Sequence, residues 1–253
     1  YKYANHLFSY NLNDSAFKVR NEIHFPFSPS KFGAGNYWRG VAPDSRLASI
    51  KVLDEHGGGS FSEIIDGVEW AIANKTKFNI SVISMSLGGS AGQSALISAV
   101  NNAVENGIIT VVAAGNSGGL NNENNIGSPG DADNVITVAA MNIFDEVTEY
   151  SSSGGNSFTG NTKKPDLMAP GGSDYNFSML SADTNDNDAE GMYESDSYWN
   201  DLYPAKGTSM ATPAVAGAAS LLIQAMGGQK NWNFTAEEAK RAKAILLITA
   251  TET

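Results

Sequence analysis

The sequence predicts an α/β domain: a three-layer sandwich with a mainly parallel central sheet. Three observations predict it. Apolar runs alternate with segments of helical periodicity through the middle of the chain. Those runs are too continuously apolar to face water on either side, so helices must cover both faces of the sheet. At 253 residues and 42% hydrophobic content, the chain is long enough to bury one large core.

Taken in order, "RLASIKVL" (46–53) reads as a strand. "SFSEIIDGVEWAIANKT" (60–76) reads as a helix, with Ser60 or Ser62 as its cap and Ile64, Ile65, Val68 and Ile72 at helical spacing. "ISVISMSL" (80–87) is a strand, "SALISAVNNAVENG" (94–107) a helix closing at Gly107, and "IITVVAAG" (108–115) and "NVITVAAM" (134–141) are strands. Right-handed crossovers connect them, and a ligand site is expected where the chain leaves the carboxyl ends of the strands. Two regions break the pattern. Residues 1–40 hold twelve aromatic or histidine side chains, with the alternating piece "FKVRNEI" followed by a loop punctuated by Pro, Ser and Gly. Residues 181–201 are acidic and poor in aliphatics. No internal repeat is present.

The formal charge of −11 leaves no basic patch to neutralise phosphates, which argues against a nucleic-acid partner and suits solubility or cation binding. Zero cysteines exclude disulfides and a thiolate zinc site. No apolar run approaches the length of a membrane span and no signal peptide is visible. The first residue is Tyr1, so a processed or excised chain is expected. Sequons at Asn13, Asn74, Asn79, Asn176 and Asn233 favour an extracellular or cell-surface location.

Chemistry concentrates in "GTSMATPAVAGAASLL" (207–222), where a helix is about to begin. A serine or threonine there is ordinarily a cap, and Thr208 is placed to be one. The neighbours point further. Gly207 lets a substrate backbone approach, Ala211 and Ala214 leave little bulk above the Ser209 hydroxyl, and Gly217 and Ala218 let the helix pack closely on another element. A helix N-terminus also offers free N–H groups and partial positive charge to a developing oxyanion.

With "GTSMATP" come "GVAPDSRLASIKVL", "GGGSFSEIIDGVEWAIAN", "ISMSLGG", "VVAAGNSG", "GSPG" and "PDLMAPG", in that order. Through these blocks the chain resembles the subtilisin-like serine proteases over residues 40 to about 247. The resemblance implies a serine endopeptidase, with residues 40–253 as its catalytic domain, open at both ends, and 1–40 as an insertion before it. Ser209 resembles the acylated nucleophile and Asn116, directly after an apolar strand, the side-chain donor to the oxyanion. An asparagine there differs from the related sedolisins, which use an aspartate. Gly57, Gly58 and Gly59, and Ser86, Leu87 and Gly88, resemble the two extended stretches between which a peptide pairs as an added strand. Ala113, Ala114 and Gly115 would line a roomy apolar pocket, with Thr208 beside the substrate. Pro129 resembles the family's cis-proline.

The other half of the triad is missing. A serine needs a base, and the base needs an acid to hold its tautomer. The family's D-[ST]-G and H-G-T blocks do not occur. Of the three histidines, His56 falls on the rim of the cleft, His24 precedes "GVAP" but is followed by Phe-Pro-Phe, and His6 matches nothing. The expectation is that an upstream segment, in the same precursor or a separate chain, supplies Asp and His. The end "AKRAKAILLITATET" resembles the family's penultimate helix without the closing turn and final helix that follow it. Two alternatives stand beside the peptidase: a pseudo-protease scaffold that lost its base, and a structural surface protein. No cofactor is needed for the chemistry. Structural calcium is in keeping with the family, and Asp183, Asn185, Asn187 and Glu194 sit at positions one, three, five and twelve of an EF-hand loop, though Asp188 stands where that loop requires glycine.

Overall fold

A computed structural model describes residues 7–11, 17–20, 40–54, 56–118, 125–173, 178–182 and 202–251. The strands are β1 (Leu7–Asn11), β2 (Phe17–Arg20), β3 (Leu47–Lys51), β4 (Val82–Met85), β5 (Ile109–Ala113), β6 (Ile136–Met141), β7 (Gly155–Asn156), β8 (Lys163–Lys164), β9 (Leu167–Pro170), β10 (Met179–Ala182) and β11 (Leu202–Ala205). The helices are α1 (Phe61–Phe78), α2 (Ser94–Glu105), α3 (Thr208–Ala225) and α4 (Ala236–Thr249). Each strand and helix expected between 46 and 141 is present; the strands and α2 are shorter by a few residues at their ends, while α1 runs two residues past the expected end, to Phe78.

The central sheet runs β4-β5-β6-β9, all parallel. Period-two alternation assigns its faces. From β5, Ile109 and Val111 enter an apolar cluster with Ala211, Val215 and Ala219 of α3 and Ala239 and Ala242 of α4. Ile108 and Val112, alternating with them, enter a second cluster with Ile64 and Val68 of α1 and Leu96, Val100 and Ala103 of α2. Every residue of β5 is buried, as continuous apolarity requires when both faces are covered. Helix α1 starts at a capping box: Ser60 Oγ accepts from Glu63 N while Ser60 N donates to Glu63 Oε2 at 2.8 Å. Ser60, rather than Ser62, is therefore the cap.

The connection from α3 to α4 folds back under α2. Trp232 Nε1 donates to Gly107 O at 2.9 Å, and Phe234 backbone lies so close to Gly107 that an added Cβ would sit 2.0 Å from it. Gly107 itself has φ +76, so glycine is needed there twice over. At the opposite edge, Lys164 is buried and donates to Asp166 at 2.6 Å and to Val135 O at 2.9 Å. Lys243 of α4 reaches Asp166 at 2.8 Å and the same Val135 carbonyl at 2.7 Å. One carboxylate between two ammonium groups thus ties α4 to the amino ends of β6 and β9. Desolvation lowers the Lys164 pKa to about 8, against the opposing pull of Asp166.

The sheet is interrupted. Strand β3 pairs in parallel with β1, in a three-stranded sheet ordered β2-β1-β3, so part of residues 1–40 joins this sheet. Between β3 and β4 no ladder forms among the described residues. Both nevertheless lie under the same helix: Gly67 of α1 rests on Val52 and Ile50, and Val52, Leu53 and Ile83 all pack against the α1–α2 cluster. The two facing edges are unusually open for a parallel sheet. Leu47 is 61% exposed and Ser84 of β4 is exposed, while the neighbouring β5 is wholly buried.

Strands β10 and β11 form an antiparallel ladder in which Ala182 opposes Leu202, so Ser181 and Ala182, at the start of the acidic stretch, belong to the ladder. The calcium candidates Asp183, Asn185, Asn187 and Glu194 lie outside the described residues. Among the described residues, no three His, Cys, Asp or Glu side chains gather as a metal site, and no helix is long and apolar enough to cross a membrane.

Candidate active site

The carboxyl ends of β4 and β5 and the amino end of α3 meet at one cleft of about 610 Å³. Its walls bring together Ser86, Leu87 and Gly88, Ala113, Ala114, Gly115 and Asn116, Thr208 and Ser209, with Gly89, Ser90, Ala91, Ser117, Asn125, Ile126 and Gly127. Residues as far apart as 86 and 209 converge here because parallel strands end on the same side of a sheet.

Thr208 is not the side-chain cap that its position suggested. Gly207 holds the cap position with no side-chain cap bond, and Thr208 is the first helical residue, fully buried. Its hydroxyl is drawn sideways into a relay. Thr208 Oγ1 donates to Asn116 Oδ1 at 3.0 Å and accepts from Gly115 N at 3.2 Å, while Thr208 N also donates to Asn116 Oδ1 at 2.9 Å. Two donors converging on one oxygen fix which way round the Asn116 amide sits. Its Nδ2 is left facing the Gly207 backbone, 3.2 Å from where a Cβ on Gly207 would lie. Among the described residues, neither Asn116 Nδ2 nor the Ser209 N–H is spent on a protein acceptor. Two N–H groups at the start of a helix are thereby available to an anion.

Ser209 is half-buried, and its hydroxyl makes only a 3.5 Å approach to Ser86 O, too long to hold it firmly. The firm bond runs the other way: Ser86 Oγ donates to Ser209 O at 2.7 Å. The cause is Pro213 inside α3, which has no N–H to give the carbonyl four residues earlier. The Ser86 hydroxyl takes that place, and so locks the Ser209 turn to the end of β4. The proline four residues after the serine was the available signal for this tie. No ionisable side chain bonds the Ser209 hydroxyl among the described residues, where His56 is the sole histidine.

Other expectations resolve differently. Ala211 does not lie above the hydroxyl but is fully buried in the core beneath α3, and Ala214 packs against the same core. Gly217 does serve close packing: an added Cβ would come within 2.7 Å of Val41, which seats the "GVAP" segment on α3. Gly57, Gly58 and Gly59 do not line this cleft. They fold back on the end of β3, with Asp54 N donating to Gly58 O at 2.7 Å and Asp54 Oδ1 accepting from Gly58 N and His56 N. Those hydrogen bonds hold the Asp54 carboxyl below the usual range, the one from Gly58 most. The Ser128–Pro129 bond is cis, as expected; Lys164–Pro165 is cis as well, with no sequence signal to announce it. Ser152 was not anticipated: its Oγ accepts from Ser117 N at 3.2 Å and its N–H donates to Gly115 O at 2.8 Å, fixing the turn after β5.

Known proteins share the sequence and fold of this chain. Residues 21–253 match the model of the subtilase family, Peptidase S8. Subtilisin of Bacillus pumilus is 41% identical over 184 residues, covering 73% of this chain and 56% of the relative. The serine protease AprX of Bacillus subtilis strain 168 is 35% identical over 223 residues, covering 82% and 47%. Among solved structures, Sphericase aligns with a TM-score of 0.63 at 30% identity, covering 83% of this chain and 61% of that one. A cold-adapted subtilisin-like serine proteinase aligns at 0.59 and 31%, covering 80% and 60%. The chain thus spans about half the length of the curated relatives it matches. With the ordered motifs, the parallel sheet and the Ser209–Asn116 cleft in agreement, the chain belongs to the subtilase family of serine proteases.

Proposed function

We propose that this chain carries the nucleophile and oxyanion site of a serine endopeptidase whose base and acid come from a segment outside it. The observation that carries this is the pairing of an unrestrained Ser209 hydroxyl with two unspent donors, Asn116 Nδ2 and the Ser209 N–H, at one helix start. In the reaction, Ser209 Oγ attacks the scissile carbonyl of a polypeptide as an external imidazole takes its proton. The two donors then hold the negative oxygen. The adduct collapses as the imidazolium gives its proton to the leaving amine and the peptide C–N bond breaks, and water, deprotonated by the same imidazole, hydrolyses the acyl-enzyme to free Ser209. Ser86 to Gly88 would pair with the substrate backbone. Ala113, Ala114 and Gly115 would accept an apolar side chain, since no charged residue is among the described residues that line the cleft.

The interrupted sheet supports an outside segment. Among the described residues β3 and β4 form no ladder with each other although both lie under one helix, and a strand seated between them would end beside Ser86 and Ser209. We place the enzyme outside the cell or on its surface, on the sequons. One observation favours a second reading, a pseudo-protease scaffold: no base touches Ser209 among the described residues. A fluorophosphonate probe applied to the complete protein decides between them. Labelling at Ser209 that Ser209→Ala abolishes supports the peptidase; an unlabelled Ser209 supports the scaffold.

A further inference from the structure

Asp131 is a buried carboxylate with no place in the chemistry above. It is 4% exposed, on the turn after the cis bond, and its Oδ1 is buried without a hydrogen-bond partner among the described residues. Its Oδ2 accepts twice: from Gly92 N at 2.7 Å and from Ser128 Oγ at 2.9 Å. Ser128, fully buried, accepts in turn from Gln93 N at 3.0 Å, and its carbonyl accepts from Gly89 N at 2.9 Å.

These partners belong to opposite walls of the cleft. Gly88 to Ala91 form one wall, continuing into Gly92 and Gln93; Asn125 to Gly127 form the other, continuing into Ser128 and Asp131. The walls already touch closely: a Cβ on Gly127 would stand 2.3 Å from Gly89 O. A group that only accepts, placed behind both walls, joins them through two donors, Gly92 N and Ser128 Oγ, and through Ser128 it reaches the Gln93 N–H as well. Tolerating an unpartnered carboxylate oxygen there is a cost that core packing alone would not retain.

We propose that Asp131, acting through Ser128, is a positioning residue that sets the width of the cleft and hence which side chain the peptidase accepts next to the scissile bond. This rests on the cleft being the substrate site. Asp131 touches no reacting atom. Its removal lets the 88–93 wall drift from the 125–128 wall and alters the fit of bulky against small side chains, leaving the Ser209–Asn116 geometry in place.

The test uses the complete protein with Asp131→Ala, Asp131→Asn and Ser128→Ala. Two quantities are read: amide hydrogen exchange at Gly89, Gly92 and Gln93, and kcat and KM on peptides differing only in Ala, Leu or Phe before the cleaved bond. Asp131→Ala is expected to lose protection at Gly92 and Gln93 and to change the Phe-to-Ala ratio of kcat/KM by about tenfold, through KM. Asp131→Asn, which keeps an accepting oxygen, should recover most of the ratio. Unchanged exchange at Gly92 and Gln93, or losses that scale all three peptides by one factor, overturns the proposal. If Asp131→Ala does not fold, Ser128→Ala carries the test through the Gln93 amide. Should wild type cleave none of the peptides, the peptidase reading fails, and the exchange measurement still decides whether Asp131 joins the walls.

Discussion

Removing only the Thr208 hydroxyl, by Thr208→Val, tests whether the oxyanion site depends on a relay behind it. The substitution keeps the shape and the backbone N–H but deletes the 3.0 Å bond to Asn116 Oδ1 and the acceptor for Gly115 N. Asn116 then keeps a single anchor, Thr208 N at 2.9 Å, and its amide can turn. Complete loss of the amide, by Asn116→Ala, should lower kcat by about 10² to 10³, a range established on subtilisin itself. Turning the amide part of the time should cost less, about tenfold in kcat with KM nearly unchanged, because the oxyanion exists only in the transition state. Leaving the half-buried N–H at Gly115 unpaired adds about 1 kcal/mol of destabilisation. The assay is steady-state hydrolysis by the complete protein in a double-mutant cycle. Since both changes act through one amide, Thr208→Val combined with Asn116→Ala should be no slower than Asn116→Ala alone. Fully additive losses would refute the relay.

Other consequences are as specific. Ser86→Ala removes the donor that replaces the missing N–H of Pro213; it should destabilise the fold by about 1 to 2 kcal/mol in urea unfolding and slow acylation of Ser209. Gly107→Ala should cost about 3 kcal/mol or more, since a Cβ would meet Phe234 backbone and φ is +76; near-normal stability would contradict the packing of 232–234 under α2. The pH prediction concerns Lys164. Its folded pKa of about 8 lies below the unfolded value near 10.5, so the folded state binds fewer protons in that interval. Its burial cost is fully present below pH 8 and is relieved as the pH rises. Wild-type stability measured against Lys164→Met should therefore increase by about 2 kcal/mol between pH 7 and 9.5. A flat or falling difference would contradict the assignment.

The strands and helices from 46 to 141 could be read from sequence because their signals are local: alternation between two apolar faces, a serine followed three residues later by glutamate, a glycine where α2 ends. The convergence of Ser209 and Asn116 could be read because a parallel sheet delivers its strand ends to one side. What escaped depends on distances that sequence does not encode. Thr208 looked like a cap because capping is the commonest use of its position, and only the approach of Asn116 redirects its hydroxyl. Ala211 looked like clearance for a substrate, yet α3 turns that face into the core. The hydrogen bonds by which Asp54 holds Gly58 and His56 had no signal in the sequence either. Asp131 directly follows "GSPG", but nothing in that motif marks its carboxylate, and the contact with Gly92 comes from 39 residues away.

The source of the base is measured most directly by the pH dependence of fluorophosphonate labelling at Ser209, in the complete protein and in residues 1–253 alone. The complete protein should label with a rate that rises through a single titration in the histidine range, about pH 6 to 8, while the isolated chain labels orders of magnitude more slowly with no such step. Equal rates and equal pH profiles for the two would contradict an external base.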